Sequence, residues 1–263
     1  MTSGGARQRE GTIFGTAAAA YAEHRPGYAE DAVGWALEPV AGRRPLRVLD
    51  LGAGTGKLTA ALARRGAGVT AVDPDPAMLA ELRRALPGVP ALAGSAEDIP
   101  LPDGSVDAVL AGQAIHWFDM DRAAPEIMRV LAPGGVAAGL WNVLDDRESW
   151  VAGLAEVTQG KGGVTLSEWR EENRDHPLQR LGVTRPGMFT GAELAEFRAG
   201  QWRTADSLTA TVATHSALLL MDEAGRNRLL AAVRSYLRSR PQTSAGEFLL
   251  PLVTVAARIR RAA

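Results

Sequence analysis

The strongest chemical signal in the chain is Asp50-Leu51-Gly52-Ala53-Gly54-Thr55-Gly56, an acidic residue followed by three glycines on alternate positions. It lies between a short apolar run and a stretch with helical spacing. Glycines in that place let a ligand approach the backbone closely and present unpaired amide groups at a helix start. Asp73 closes the next apolar run, 23 residues after Asp50, where a carboxylate accepts both hydroxyls of a ribose. A nucleoside triphosphate loop needs Gly-x-x-x-x-Gly-Lys-Ser/Thr, but Gly56-Lys57 is followed by Leu58 and the first glycine position holds Leu51. A nicotinamide fingerprint, Gly-x-Gly-x-x-Gly, fits poorly: its last glycine falls on Lys57 counted from Gly52, and on Thr59 counted from Gly54.

The spacing acidic-x-Gly-x-Gly-x-Gly resembles the first motif of class I S-adenosylmethionine-dependent methyltransferases. That cofactor carries no pyrophosphate, and its ammonium group suits a carboxylate such as Asp50. Gly94-Ser95-Ala96-Glu97-Asp98-Ile99-Pro100 and on to Asp107 is similar to the segment that runs past the adenine in this family. Leu131-Ala132-Pro133-Gly134-Gly135 resembles the turn before its fifth strand, although a plain helix-ending turn explains it equally. Phe14-Gly15 with Tyr21 to Tyr28, and Ala111 to Asp119, resemble the trans-aconitate-methyltransferase-like branch, as do Trp141-Asn142, Asp145-Asp146 and Trp150. The resemblance implies S-adenosyl-L-methionine as cofactor, held by Asp50, Gly52, Ala53, Gly54, Gly56, Asp73, Pro74, Ser95, Ala96, Glu97 and Gln113. Tyr21 and Arg25, in the N-terminal segment, would close over the cofactor's carboxylate.

Methyl transfer from a sulfonium is a direct displacement and needs neither a metal nor an enzyme nucleophile. Alignment and exclusion of water supply most of the acceleration. A base is required only when the acceptor must lose a proton. His116, after the fourth strand and beside Trp117, is the candidate catalytic residue. It acts either as a base or as a positioning group that holds Trp117. His24, His176 and His215 have no metal-ligand spacing, so no metal site is expected. Trp141, Trp150, Trp169 and Trp202 either line a pocket or pack a core. Asp119 and Asp121 stand where they cap the helix that follows.

These residues must be positioned by alternating elements. Strand spacing covers Leu46–Leu51, Val69–Asp73, Ala91–Ala93, Val106–Leu110 and Val136–Trp141; helical spacing covers Leu58–Ala63, Pro76–Leu86 and Arg122–Leu131. Such alternation predicts βαβ units and a doubly wound parallel α/β sheet. With the resemblance, the expected fold is a mostly parallel seven-stranded Rossmann-like sheet with an antiparallel last strand and a helical cover. The later chain predicts a strand over 192–204, a helix over Leu218–Leu237 and a last strand over Leu249–Ile259. The whole of 1–263 reads as one methyltransferase domain: an N-terminal helical cap over 12–40, a cofactor-binding core over 44–142, a helical cover over 143–190, and closing strands and helix over 191–263.

Composition narrows the function classes. The 263 residues carry a formal net charge of −1. They lack the basic excess of a protein that grips phosphate backbones, so no nucleic-acid partner is expected. The segment after the fourth strand also lacks the Asn/Asp-Pro-Pro-aromatic signature of base-amine methylation, reading Gly112-Gln113-Ala114-Ile115. There is no cysteine, which removes disulfides, thiolate zinc and cysteine nucleophiles, and suits a reducing cytoplasm. No apolar run is long enough to span a membrane, and the first residues lack a signal-peptide core. A cytoplasmic enzyme methylating an oxygen or nitrogen of a small molecule is the leading expectation. The alternatives are a non-catalytic or non-methylating protein on the same fold and, less well supported, an NAD-dependent oxidoreductase.

Overall fold

The computed structural model describes residues 26–162 and 188–262, apart from 214, 216, 217 and 219. Its strands are β1 (Arg47–Leu51), β2 (Gly68–Asp73), β3 (Ala91–Ala93), β4 (Val106–Gly112), β5 (Leu131–Leu144), β6 (Phe189–Arg203) and β7 (Phe248–Arg261). The described helices are α1 (Glu30–Leu37), α2 (Lys57–Arg64), α3 (Pro76–Ala85), α4 (Met120–Val130), α5 (Ser149–Gly162), α6 (Ala205–Ala213) and α7 (Glu223–Arg238). The seven strands form one sheet in the order β3-β2-β1-β4-β5-β7-β6, with an antiparallel last strand. This is the doubly wound Rossmann-like arrangement expected from the sequence. Strand order reverses between β1 and β4, which pair in parallel with Leu49 opposite Val109. Crevices at such reversals bind ligands, and β1 delivers Asp50 to this one.

The chain folds as two compact units. One comprises, among the described residues, 27–142, 188–197 and 254–262. Its core is built by Val48, Leu62, Val69, Leu110, Val136 and Leu140, all from near-continuous apolar strand runs or the buried stripe of a helix. Two helices of this unit, α3 and α4, start where a short polar side chain replaces missing partners. Asp75 accepts hydrogen bonds from the amides of Ala77 (2.8 Å) and Met78 (3.3 Å). Pro76 then opens α3, with its φ already suited to a first helical position. Asp119 accepts from the amide of Asp121 at 3.1 Å and so starts α4. At the amino end of the sheet Asp107 is buried between Arg43 and Arg47, each at 2.8 Å. Burial alone would raise its pKa, but hydrogen bonds from Arg47 and Arg43 outweigh this and hold the carboxyl at about 2.

The second unit comprises, among the described residues, Pro26, 143–162 and 198–253. In it α7 packs on α5 and α6, burying Leu154, Leu208, Leu229, Val233 and Leu237. Trp150 belongs to this core, its ring meeting Phe248 edge-on at 5.6 Å. It therefore serves packing. Two element boundaries differ most from the sequence reading, by five residues each. The strand expected from Val136 begins at Leu131, because Pro133-Gly134-Gly135 bulges out between the Val106–Leu131 and Ala108–Val136 pairs rather than ending a helix. The helix expected from Leu218 begins at Glu223, because Asp222 is extended and caps it by accepting from the Gly225 amide at 2.6 Å. Among the described residues no helix is long and apolar enough to cross a membrane.

Candidate active site

The glycine turn sits where β1 ends and α2 begins. Its three glycines are in the left-handed region, Gly52 at φ 69°, Gly54 at φ 54° and Gly56 at φ 86°, which glycine enters without a Cβ penalty. Two of them are also sterically obligatory. A Cβ on Gly52 would stand 2.6 Å from the Ala114 side chain, and one on Gly56 would stand 2.9 Å from Leu82. A Cβ on Gly54 would meet nothing within 4 Å, so the turn opens on that side.

The amides of this turn are engaged internally, which corrects the expectation of unpaired donors. Gly52 and Ala53 both donate to the Val72 carbonyl, at 2.8 and 3.0 Å, and Gly56 donates to Ala53 at 3.0 Å. The Gly54 amide donates to Asp73 Oδ2 at 2.8 Å. A pyrophosphate relies on such amides as its cradle. With four of them committed, this turn offers shape and carboxylates instead.

Asp50 is fully buried at the end of β1. Its Oδ2 accepts a 2.5 Å hydrogen bond from Thr59 Oγ1 on α2. Its Oδ1 is buried with no hydrogen-bond partner among the described residues, and so is Thr55 Oγ1. Burial pushes the Asp50 carboxyl up to about 7; the Thr59 bond opposes this and the neighbouring Asp73 charge adds to it. Thr59 was not marked by any motif. Its only local signal is a polar residue among Leu58, Ala61 and Leu62 on the buried stripe of α2.

Asp73, also buried, joins the turn to the next helix. One oxygen accepts from Gly54 and the other from the Asp75 amide, both at 2.8 Å. Burial raises its pKa, and the two amide bonds oppose the rise. Pro74 follows directly. Beyond β3, Ser95 and Asp98 exchange backbone hydrogen bonds, and Ser95 Oγ accepts from the Glu97 amide at 3.3 Å. Ala96 is buried. Glu97 accepts from the Asp119 amide at 2.8 Å, tying this loop to the start of α4.

The residues after β4 complete the crevice. Ala114 and Phe118 both lie against Gly52. Gln113 is the one described non-glycine residue with positive φ (55°), and its side-chain amide donates to the Asn142 carbonyl at 2.8 Å. Strain at a non-glycine position of this kind persists only where its surroundings hold it. Asn142 is the hub of that hold: Nδ2 donates to the Gly27 carbonyl (2.9 Å) and Oδ1 accepts from Thr254 Oγ1 (2.7 Å), which itself accepts from the Ala29 amide (3.1 Å). Tyr28, between these two anchors, lies directly over Gly112, where a Cβ would stand 2.3 Å from its hydroxyl. His116 occupies a short 3-10 turn, half-buried, with its ring 4.7 Å from that of Trp117.

The sequence-derived set from Asp50 to His116 therefore falls on loops and strand ends of one compact unit. Tyr21 and Arg25 lie outside the described residues, as do His24, His176 and Trp169. Among the described residues no three His, Asp or Glu side chains gather as a metal site.

A doubly wound sheet with an acidic, glycine-lined turn at its reversal and a buried carboxylate ending the next strand is the build of a class I methyltransferase. The comparisons agree. The methyltransferase domain family matches residues 49–139. An uncharacterized methyltransferase of Mycobacterium tuberculosis is 44% identical over 246 residues, covering 93% of this chain and 94% of that protein. A solved structure from Anaeromyxobacter dehalogenans, assigned as a type II methyltransferase, is 28% identical with TM-score 0.64, over 90% of this chain and 97% of that one. The [4+2]-cyclase SpnF shares the fold at TM-score 0.55 and 19% identity, over 100% of this chain and 97% of that one. The chain belongs to the class I S-adenosylmethionine-dependent methyltransferases and is a methyltransferase enzyme.

Proposed function

We propose that this enzyme moves the methyl group of S-adenosylmethionine to an oxygen or nitrogen of a small metabolite or natural product, in the cytoplasm, with the whole chain acting as one methyltransferase domain. The observation that carries the cofactor reading is the orphaned Oδ1 of a fully buried Asp50 beside a turn whose own amides are engaged. A buried carboxylate oxygen without a partner costs stability until a cation meets it. The ammonium of the cofactor's amino-acid end is such a cation. When bound, the cofactor supplies an electrophilic methyl on sulfur.

The chain's own residues then have distinct tasks. Asp50 holds the ammonium, and Gly52, Ala53, Gly54 and Gly56 shape the wall beside it. Asp73, followed by Pro74, accepts the ribose hydroxyls on lone pairs left over from its two amide bonds. Ser95, Ala96 and Glu97 border the adenine. Gln113 borders the amino-acid end, with Tyr21 and Arg25 closing over its carboxylate. His116 meets the acceptor, removing its proton or orienting it. The near-neutral charge and the lack of a base-amine signature support a small-molecule acceptor over a nucleic acid.

The test is a transfer assay with methyl-deuterated S-adenosylmethionine against panels of small carboxylic acids, phenols, alcohols and amines, read by mass spectrometry. Labelled product is expected in at least one panel. His116→Ala should cut its turnover about 100-fold, the size of a lost general base, with S-adenosylhomocysteine affinity unchanged. Label appearing only in added RNA or protein would contradict the reading. So would full turnover by the His116 variant on a proton-bearing acceptor, as far as His116 is concerned.

A further inference from the structure

The two oxygens of the Asp50 carboxylate are not equivalent. Oδ2 accepts from Thr59 Oγ1 at 2.5 Å, both residues being fully buried, whereas Oδ1 has no hydrogen-bond partner among the described residues. A threonine inside a helix ordinarily turns its hydroxyl back to a carbonyl of the preceding turn. Thr158, Thr209 and Thr211 do so, donating to the carbonyls of Ala155, Ala205 and Ser207 at 2.9, 2.7 and 3.1 Å. Thr59 directs its proton to a carboxylate on β1 instead. In the sheet Asp50 stands opposite Ala71 of β2 and Leu110 of β4, neither of them charged. Burial opposes its ionisation, the Thr59 hydroxyl favours it, the Asp73 charge at the end of β2 opposes it, and the Thr59 amide favours it.

We propose that Thr59 is a positioning residue for cofactor binding: its hydroxyl pins the Asp50 carboxylate by Oδ2, presents Oδ1 to the cofactor's ammonium and holds the carboxylate in its charged form. This rests on the reading of Asp50 as the group that meets the ammonium. A carboxylate turns about its Cβ–Cγ bond unless a neighbour fixes it. A binding group keeps its productive geometry only when the groups behind it are themselves fixed. Thr59 is fixed in this way, because Leu58, Ala61 and Leu62 on the same stripe of α2 are buried in the core. Without the hydroxyl, Oδ2 becomes a second buried oxygen lacking a partner, and the carboxyl keeps its proton to higher pH. The ammonium then meets a neutral group over a pH range in which the original protein offers it a charge.

Calorimetric titration of the full chain with S-adenosylhomocysteine, at a series of pH values from about 5 to about 9, tests this. In the unmodified protein affinity should climb with pH and level above about 7. Thr59→Val should raise the dissociation constant at least about tenfold at about pH 7 and move the levelling point up by about one pH unit, as expected for the loss of one charge-assisted hydrogen bond. Thr59→Ala should act in the same direction without placing a methyl group against Asp50. Thr59→Ser keeps the hydroxyl and should stay within about threefold of the original at every pH. Added to Asp50→Asn, Thr59→Val should weaken binding by less than about threefold more, because no carboxylate is left to orient or charge. Circular dichroism checks that each variant is folded. Folded Val and Ala variants that bind as tightly as the original overturn the proposal. Variants weakened equally at every pH overturn it too, since a packing role alone would do that. A pH-independent affinity in the unmodified protein instead overturns the reading of Asp50 itself, and the role of Thr59 with it.

Discussion

Asp73→Ala should raise the dissociation constant for S-adenosylhomocysteine by about 100-fold or more, the equivalent of losing two charge-assisted hydrogen bonds. Two losses combine in this variant. In the proposed binding mode the ribose hydroxyls lose their acceptor, and the amides of Gly54 and Asp75, each held at 2.8 Å, lose theirs. The second loss makes the glycine turn itself less ordered, so the thermal midpoint should fall by several degrees, consistent with about 1–3 kcal/mol for an unsatisfied buried donor. Asp73→Asn separates the two effects, because an amide oxygen of the same shape still accepts from one backbone donor. It should recover much of the stability and little of the affinity. Isothermal titration well below the midpoint reads both variants. Affinity within about threefold of the original in folded Asp73→Ala would remove this carboxylate from the site.

Asp50→Asn should separate stability from binding in the opposite sense. With its carboxyl raised from 3.8 to about 7, the native state holds a proton on Asp50 that the unfolded chain has already released. Stability contributed by this group is therefore present at low pH and declines as pH climbs from about 4 to about 7, levelling above that. Asp73, raised in the same direction, adds to the decline. The decline from Asp50 should be about 4 kcal/mol, and Asp50→Asn should abolish that share. Denaturant unfolding of the ligand-free protein at a series of pH values measures it. The same substitution removes the only full negative charge offered to the ammonium by Asp50, and should weaken S-adenosylhomocysteine binding about 100-fold. In the unmodified protein, affinity should fall by about tenfold per pH unit below about 7, because the proton must leave before the ammonium is met. A pH-independent affinity between about 5 and 7 would mean that Asp50 is not the group that meets the cation.

What could be read from the sequence was local. The glycine turn and Asp73 announce themselves because tight turns, left-handed backbone and strand ends are set by a few neighbouring residues. The order of strands and helices followed from hydrophobic periodicity for the same reason. Thr59, which holds Asp50, carried no motif. Its meaning depends on which face of α2 is buried against β1, a packing fact. The Asn142 hub was less legible still. It joins Gly27, Gln113 and Thr254, partners separated by 115, 29 and 112 positions, so no window of sequence contains it. Glycine spacing specifies backbone freedom and not hydrogen-bond partners, so it does not show that the Gly52, Ala53, Gly54 and Gly56 amides are engaged. The Val72 carbonyl that engages two of them comes from the neighbouring strand. Pro133-Gly134-Gly135 was legible as irregular, yet only the pairing of β4 with β5 shows that the irregularity lies within a strand.

A turn with engaged amides, an orphaned buried carboxylate and a ribose-type carboxylate are together proposed to hold an adenosyl amino-acid cofactor. Calorimetric titration of the full chain with S-adenosylhomocysteine, with NAD in a parallel run, tests this most directly. Above the Asp50 pKa, saturable binding of one S-adenosylhomocysteine per chain is expected, and no heat from NAD. Binding of NAD in place of S-adenosylhomocysteine, or of neither, would contradict it.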